Sequence, residues 1–162
     1  MLAIGFSHTA IAQTYEPIAE FEDWGVFKDA GACWIATNPV HSKDSEAVER
    51  FAFVSFFYGS HIPEISFYTP GCCGAQVSAR TNGYTMPLNY KKDTYFSSRK
   101  DETNFLLSLL RSSTVEIVDN ISGERMLYFS LAGFKKAYSQ VSKICDFRPL
   151  NFNEPTKNRL KS

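Results

Sequence analysis

The chain has 162 residues, 44% of them hydrophobic, with 17 Lys and Arg against 17 Asp and Glu and so no formal net charge. That length suits one domain, and an apolar share that includes 14 Phe excludes a disordered chain and supplies a core. Balanced charge argues against a general nucleic-acid binder, which needs a basic excess to displace counterions, and no apolar run approaches the ~20 residues of a membrane-spanning helix.

Residues 1–12 carry no Lys, Arg, Asp or Glu. Leu2 to Phe6 read as the end of an apolar run. Ala10-Ile11-Ala12 then matches the small-x-small pattern cut by signal peptidase, with Gln13 as the mature start. The expectation is a signal-peptide remnant over 1–12, one β-rich domain over 13–145 and a flexible basic tail over 146–162. An ordinary frayed N-terminus is the plainer alternative.

Within the domain, Trp24-Gly25-Val26-Phe27 is a short strand candidate and residues 33–37 a second, stopped by Pro39. Residues 41–49 are polar and charged, a solvated loop. Residues 51–58, Phe-Ala-Phe-Val-Ser-Phe-Phe-Tyr, give the strongest strand signal, and because both faces are apolar this strand should be central. Residues 64–69 are its partner, and Pro70-Gly71 marks a turn. Residues 75–80 alternate as a half-buried strand does. Asn82-Gly83 is the best hairpin signal in the chain. Residues 84–90 return from it, with Pro87 placing that strand at an edge. Residues 94–97 form one more short strand.

The period then changes. Phe105, Leu106, Leu109 and Leu110 share one face of a helix over 101–112, with Asp101 as N-cap and Glu102 near the positive end of the helix dipole. Residues 114–118 and 125–130 form a second hairpin about the turn Asn120-Ile121-Ser122-Gly123. Phe134, Ala137, Tyr138, Val141 and Cys145 repeat at helical spacing over 133–145, with Lys135, Lys136 and Lys143 off the buried face. The pattern predicts a mainly β fold: a single antiparallel β-sandwich or curled barrel-like domain with two short helices.

Four cysteines, Cys33, Cys72, Cys73 and Cys145, suit an exported protein with bridges, and they allow three complete pairings among which residues alone do not choose. A Cys33–Cys145 bridge would tie the first part of the core to the last helix. Closing a loop of ~100 residues stabilises by about 4–5 kcal/mol in the chain-entropy model. The adjacent Cys72 and Cys73 are either a second bridge across a tight ring or two small buried thiols in a turn.

The residues that could carry catalysis are poorly placed for it. A Cys–His hydrolase needs a thiolate beside an oriented histidine. His8 falls in the segment read as cleaved, His41 in a charged loop, and His61 across a strand from Cys72-Cys73. The Cys pair lacks the Cys-x-x-Cys spacing of redox motifs, and neither paired cysteines nor His-rich spacing marks a zinc site. Glu46 and Glu49 share a face only if their loop is helical. No phosphate loop or nucleophile elbow is present. The expectation is no catalytic residue, no metal and no cofactor. Tyr58, Tyr68, Tyr84, Tyr90 and Tyr95 suit a protein- or glycan-binding surface, or equally a sheet partly covered by its own loops. Tyr90, Lys91 and Lys92, within Asn89-Tyr90-Lys91-Lys92-Asp93, are the candidate surface contacts. Lys157, Arg159 and Lys161 give the tail a basic finish that could touch anionic lipid or an acidic partner.

The order Asp23-Trp24-Gly25-Val26-Phe27, then Gly31-Ala32-Cys33-Trp34-Ile35-Ala36-Thr37-Asn38-Pro39, later Gly123, then Tyr128-Phe129-Ser130-Leu131-Ala132-Gly133-Phe134-Lys135-Lys136-Ala137-Tyr138 and finally Cys145, resembles the invasion-associated locus B family of exported alphaproteobacterial proteins. The Cys72-Cys73 pair and the long tail depart from the family pattern. The resemblance implies an exported, β-rich, non-enzymatic protein, periplasmic or secreted, that binds host or envelope components, and it brings no catalytic residues. The alternative is a structural accessory subunit docked on a larger cell-envelope complex through a β edge and the tail. A thiol-redox protein using Cys72 and Cys73 is third.

Overall fold

The computed structural model describes residues 16–37, 49–58, 60, 62–74 and 76–146. The expectations for residues 1–12, for His8, His41, His61 and Glu46, and for the tail beyond Asp146 lie outside these residues.

Alternating and aromatic-rich segments form eleven strands among the described residues, in the order β1 (Ala19–Phe21), β2 (Trp24–Lys28), β3 (Ala32–Thr37), β4 (Phe51–Phe57), β5 (Glu64–Tyr68), β6 (Val77–Thr81), β7 (Tyr84–Pro87), β8 (Asn89–Lys91), β9 (Thr94–Phe96), β10 (Thr114–Asp119) and β11 (Arg125–Ser130). Helix α1 (Glu102–Leu109) lies between β9 and β10, and α2 (Phe134–Ile144) follows β11. The strands pair antiparallel into a seven-stranded sheet, β1-β2-β3-β4-β5-β9-β8, and a four-stranded sheet, β11-β10-β6-β7. Among the described residues the result is a mainly β, sandwich-like domain with no closed barrel and two helices.

Strand β4 is the fourth of seven, as its two apolar faces predict. Asn82-Gly83 makes the two-residue turn between β6 and β7, with Gly83 at φ 88°. Such hairpin turns need positive φ, which glycine adopts without a Cβ clash. Lys92 and Asp93, at φ 48° and 61°, turn β8 into β9. Residues 84–90 are not one strand. The chain runs through β7 at the edge of the small sheet, passes the buried Leu88, and continues as β8 at the edge of the large sheet. The two layers are therefore joined along one side by unbroken backbone.

Four strands cannot cover seven. The small sheet and α1 cap one end of the large sheet's inner face, where the Phe67 ring meets Phe129 at 5.7 Å and Phe105 at 6.5 Å. Helix α2 caps the other end over β1, β2 and β3. There Phe134 packs edge-on to Trp24 at 4.7 Å, and Tyr138 lies 6.0 Å from Phe56. Cys33 of β3 is disulfide-bonded to Cys145 at the C-terminal end of α2, with Cα atoms 6.3 Å apart.

The start of α2 is fixed by one glycine. Gly133 has φ 83°, and a Cβ there would overlap the carbonyl oxygen of Phe21. The β1–β2 turn and the helix start thus approach through bare backbone, and Trp24 Nε1 donates to the Ser130 carbonyl at 2.9 Å beside them. Three further details differ from the sequence reading. The three-residue strand β1 carried no alternation long enough to see. Helix α1 is shorter than residues 101–112. Asp101 holds the N-cap position without a side-chain capping bond.

Candidate functional site

The seven-stranded sheet has two apolar faces and spends only one on the core. Side chains alternate across a strand, and the registers place Val26, Ile35, Val54 and Ile65 in one inward row. The opposite face carries Phe27 and Trp34 as a direct cross-strand pair, Phe53 beside Ala36 and Ser66, Phe96 beyond Ser66, Phe57 opposite Ala32, and Phe51 opposite Tyr68. None of these six Phe and Trp side chains is fully buried, and Phe57 and Tyr68 are 46% and 39% exposed. Among the described residues no strand or helix packs across this face.

The rings support one another. Phe27 and Trp34 are parallel, 5.6 Å apart, and Phe51 lies 5.7 Å from Phe53. The Phe27 ring also reaches over Gly25, where a Cβ would come within 2.9 Å of it. Polar groups stand mainly around the margin: Glu20 and Asn89 at the two ends of the Phe53 row, Glu64 beyond Ser55, and Lys91 beyond Thr94. The margin mixes both signs of charge.

The residues singled out by sequence scatter over the molecule. Lys91 stands at the margin of the aromatic face, Lys92 is exposed in the β8–β9 turn, and Tyr90 points to the other side, 48% exposed, with its ring 5.0 Å from Tyr95. Tyr58 and Tyr68 are exposed, Tyr84 stacks on Phe105 at 6.1 Å, and Tyr95 is fully buried. The five tyrosines therefore make no single surface. The phenylalanines of the outer face do, and their signal lay in the apolar positions that β4 has on both faces.

Cys72 and Cys73 are bonded to each other in the loop after β5, and none of the four cysteines is free. The Tyr95 hydroxyl, buried beneath this loop, donates toward the carbonyls of Gly74 at 2.7 Å and Cys73 at 3.1 Å. Burial and the neighbouring Tyr90 and Asp93 hold this phenol above its ordinary pKa, so it stays a donor.

Two further polar features were not visible in the sequence. Glu102, in the first turn of α1, is 2% exposed and accepts a 2.6 Å hydrogen bond from Ser97 Oγ. Burial raises its carboxyl pKa despite that bond and one from the Ile65 backbone. On the small sheet, Glu116 sits between Arg80 at 2.7 Å and Arg125 at 3.4 Å, and the Arg80 hydrogen bond holds its carboxyl below the usual range. Among the described residues no three His, Cys, Asp or Glu side chains gather as a metal site, and no helix is long and apolar enough to cross a membrane.

No family model, no curated protein and no solved structure matches this chain.

Proposed function

We propose that the protein works outside the reducing cytosol, periplasmic or secreted, as a non-enzymatic binding module of the invasion-associated locus B type, and that the outer aromatic face of its large sheet docks a protein component of the host or envelope. The observation that carries this reading is the set of Phe27, Trp34, Phe51, Phe53, Phe57, Tyr68 and Phe96, spread over four neighbouring cross-strand rows on one face of a sheet whose other side already supplies the core. Large partly exposed apolar patches with a polar margin mark interaction surfaces. Two disulfides fit a non-cytoplasmic address.

The chemistry of the face selects the class of partner. A glycan needs hydrogen bonds to its hydroxyls, and five of these seven side chains are Phe, which have no polar handle. The Phe27–Trp34 stack also turns one face of each ring toward the other. An anionic membrane needs a basic surround, whereas Glu20 and Glu64 share the margin with Lys91. An apolar protein surface satisfies both conditions.

The test is a photo-crosslinking phenylalanine analogue placed at residue 57 in the intact chain, with residue 121 as the control site. Ile121 is 81% exposed on the β10–β11 turn, away from this face. One protein adduct specific to position 57, and lost with Tyr68→Ser, supports the reading. Adducts only to lipid or glycan, adducts equal from both sites, or a self-adduct that accounts for the whole signal overturn it. Recovery of the adduct inside a stable membrane complex would select the accessory-subunit form of the reading.

A further inference from the structure

Independently of the aromatic face, the α2 side of the molecule carries a groove of about 490 Å³, bounded by β1 and α2 and within the size range of ligand sites. Its floor is Phe21 and Leu131, and its wall is a run of α2 that includes Lys135, Lys136, Ser139, Gln140 and Lys143. Lys136, Gln140 and Lys143 follow the i, i+4, i+7 spacing of one helix face. Glu22, in the β1–β2 turn, is ion-paired with Lys136 at 3.3 Å. Three cations thus line one groove of a chain whose total charge is zero.

Phe21, the last residue of β1, brings the groove to a sheet edge. Among the described residues β1 pairs only with β2, so its outward side is a template for another strand. We propose that this groove receives an extended acidic segment of a partner protein, which adds to the sheet beside β1 and sets alternate carboxylates against the α2 lysines. Side chains of an added strand that fall on the inner face of the sheet point toward α2, because α2 covers that face of β1. Lys136 and Lys143 are two turns apart, roughly 10 Å along the helix. Every second residue of a strand advances by ~7 Å, so two or three alternate acidic residues span the pair. Main-chain bonding to an edge supplies affinity in this mode, and the charge pattern supplies selectivity.

The experiment uses the full, disulfide-intact chain and a fluorescein-labelled (Glu-Thr)6 peptide, read by fluorescence anisotropy, with (Lys-Thr)6 as the opposite-charge probe. The expected result is binding of the acidic peptide alone, weakened at least about tenfold by Lys136→Glu/Lys143→Glu. Lys136→Gln/Lys143→Gln should give an intermediate loss. The control Lys100→Glu/Arg111→Glu, on exposed cations elsewhere, should leave binding unchanged. Amide hydrogen exchange of residues 19–21 should slow when the peptide is present. Both lysine positions are exposed, and the thermal midpoint of each variant verifies that it folds. Binding unaffected by the α2 substitutions, equal loss in the control, unchanged exchange in β1, or binding only to phosphatidylglycerol vesicles overturns the proposal.

Discussion

The two faces of the seven-stranded sheet are built from the same kinds of residue and meet different fates. The inner face carries Trp24, Val26, Ile35, Val54, Ile65 and Phe67, each at most 2% exposed, under α2, α1 and the small sheet. The outer face carries seven aromatic rings, and they remain partly open. Aromatic content therefore does not by itself say where the core is. Burial follows from which face has a second layer to press against, and among the described residues the helices and the small sheet all lie on the inner face. An outer face equally rich in hydrocarbon is what a sheet with a partner requires, and more than a sheet facing only water requires.

The contrast can be broken most severely on the inner side. Cys33→Ser/Cys145→Ser should cost about 4–5 kcal/mol of unfolding free energy, because the bridge spans 112 residues and its loss releases that loop in the unfolded chain. Urea unfolding with and without reductant measures it, and a loss under ~1 kcal/mol would show that α2 is held by packing alone. A matched pair comes next. Phe67→Ala, in the fully buried cluster with Phe105 and Phe129, should cost about 3–5 kcal/mol. Phe57→Ala, on the outer face, should cost less than ~1 kcal/mol while reducing binding of an apolar dye such as ANS. Equal losses at the two positions would mean that the outer face is covered in solution.

The smallest effect is one of pH. Burial raises the folded-state pKa of Glu102 above its unfolded value, so the native protein favours the neutral acid. The resulting stability is fully present below the usual carboxyl range and is lost as pH rises through the raised pKa. Glu102→Gln keeps a neutral, hydrogen-bonding side chain at every pH. It should differ from the parent by about 1 kcal/mol or less at pH 3.5 and gain on it steadily toward pH 7. Parallel stability–pH curves for the two proteins would show that the carboxyl is not the group that titrates. Glu116 runs the other way. Its Arg80 hydrogen bond lowers its pKa, and the small stabilisation it gives is lost as pH falls below the carboxyl range.

Much of the fold was legible because local signals and tertiary context agreed. Asn82-Gly83 and Ser122-Gly123 fixed two hairpins, and the apolar doublets of α1 and α2 fixed two helices. The invisible parts depend on partners distant in the chain. Strand β1 is three residues long and forms where its turn meets Gly133. Leu88 looks like any strand residue, yet it is where the chain changes layers. Glu102 reads as a first-turn acid at the positive end of the helix dipole, and the hydrogen bond that meets its buried carboxyl comes from Ser97, just after β9. The candidate site was legible only in part. Alternation in residues 51–57 announced two apolar faces, but no property of those residues alone says which one stays uncovered, and attention fell on tyrosines that the fold disperses.

The crossing at Leu88 has a mechanical consequence. One flank of the domain is laced by main chain from β7 into β8, and the opposite flank is fastened by the sulfur link from β3 to the last helix. Covalent linkage on both flanks therefore limits how far one layer can slide over the other. A load on the outer face would be shared by main chain on one flank and by the disulfide on the other.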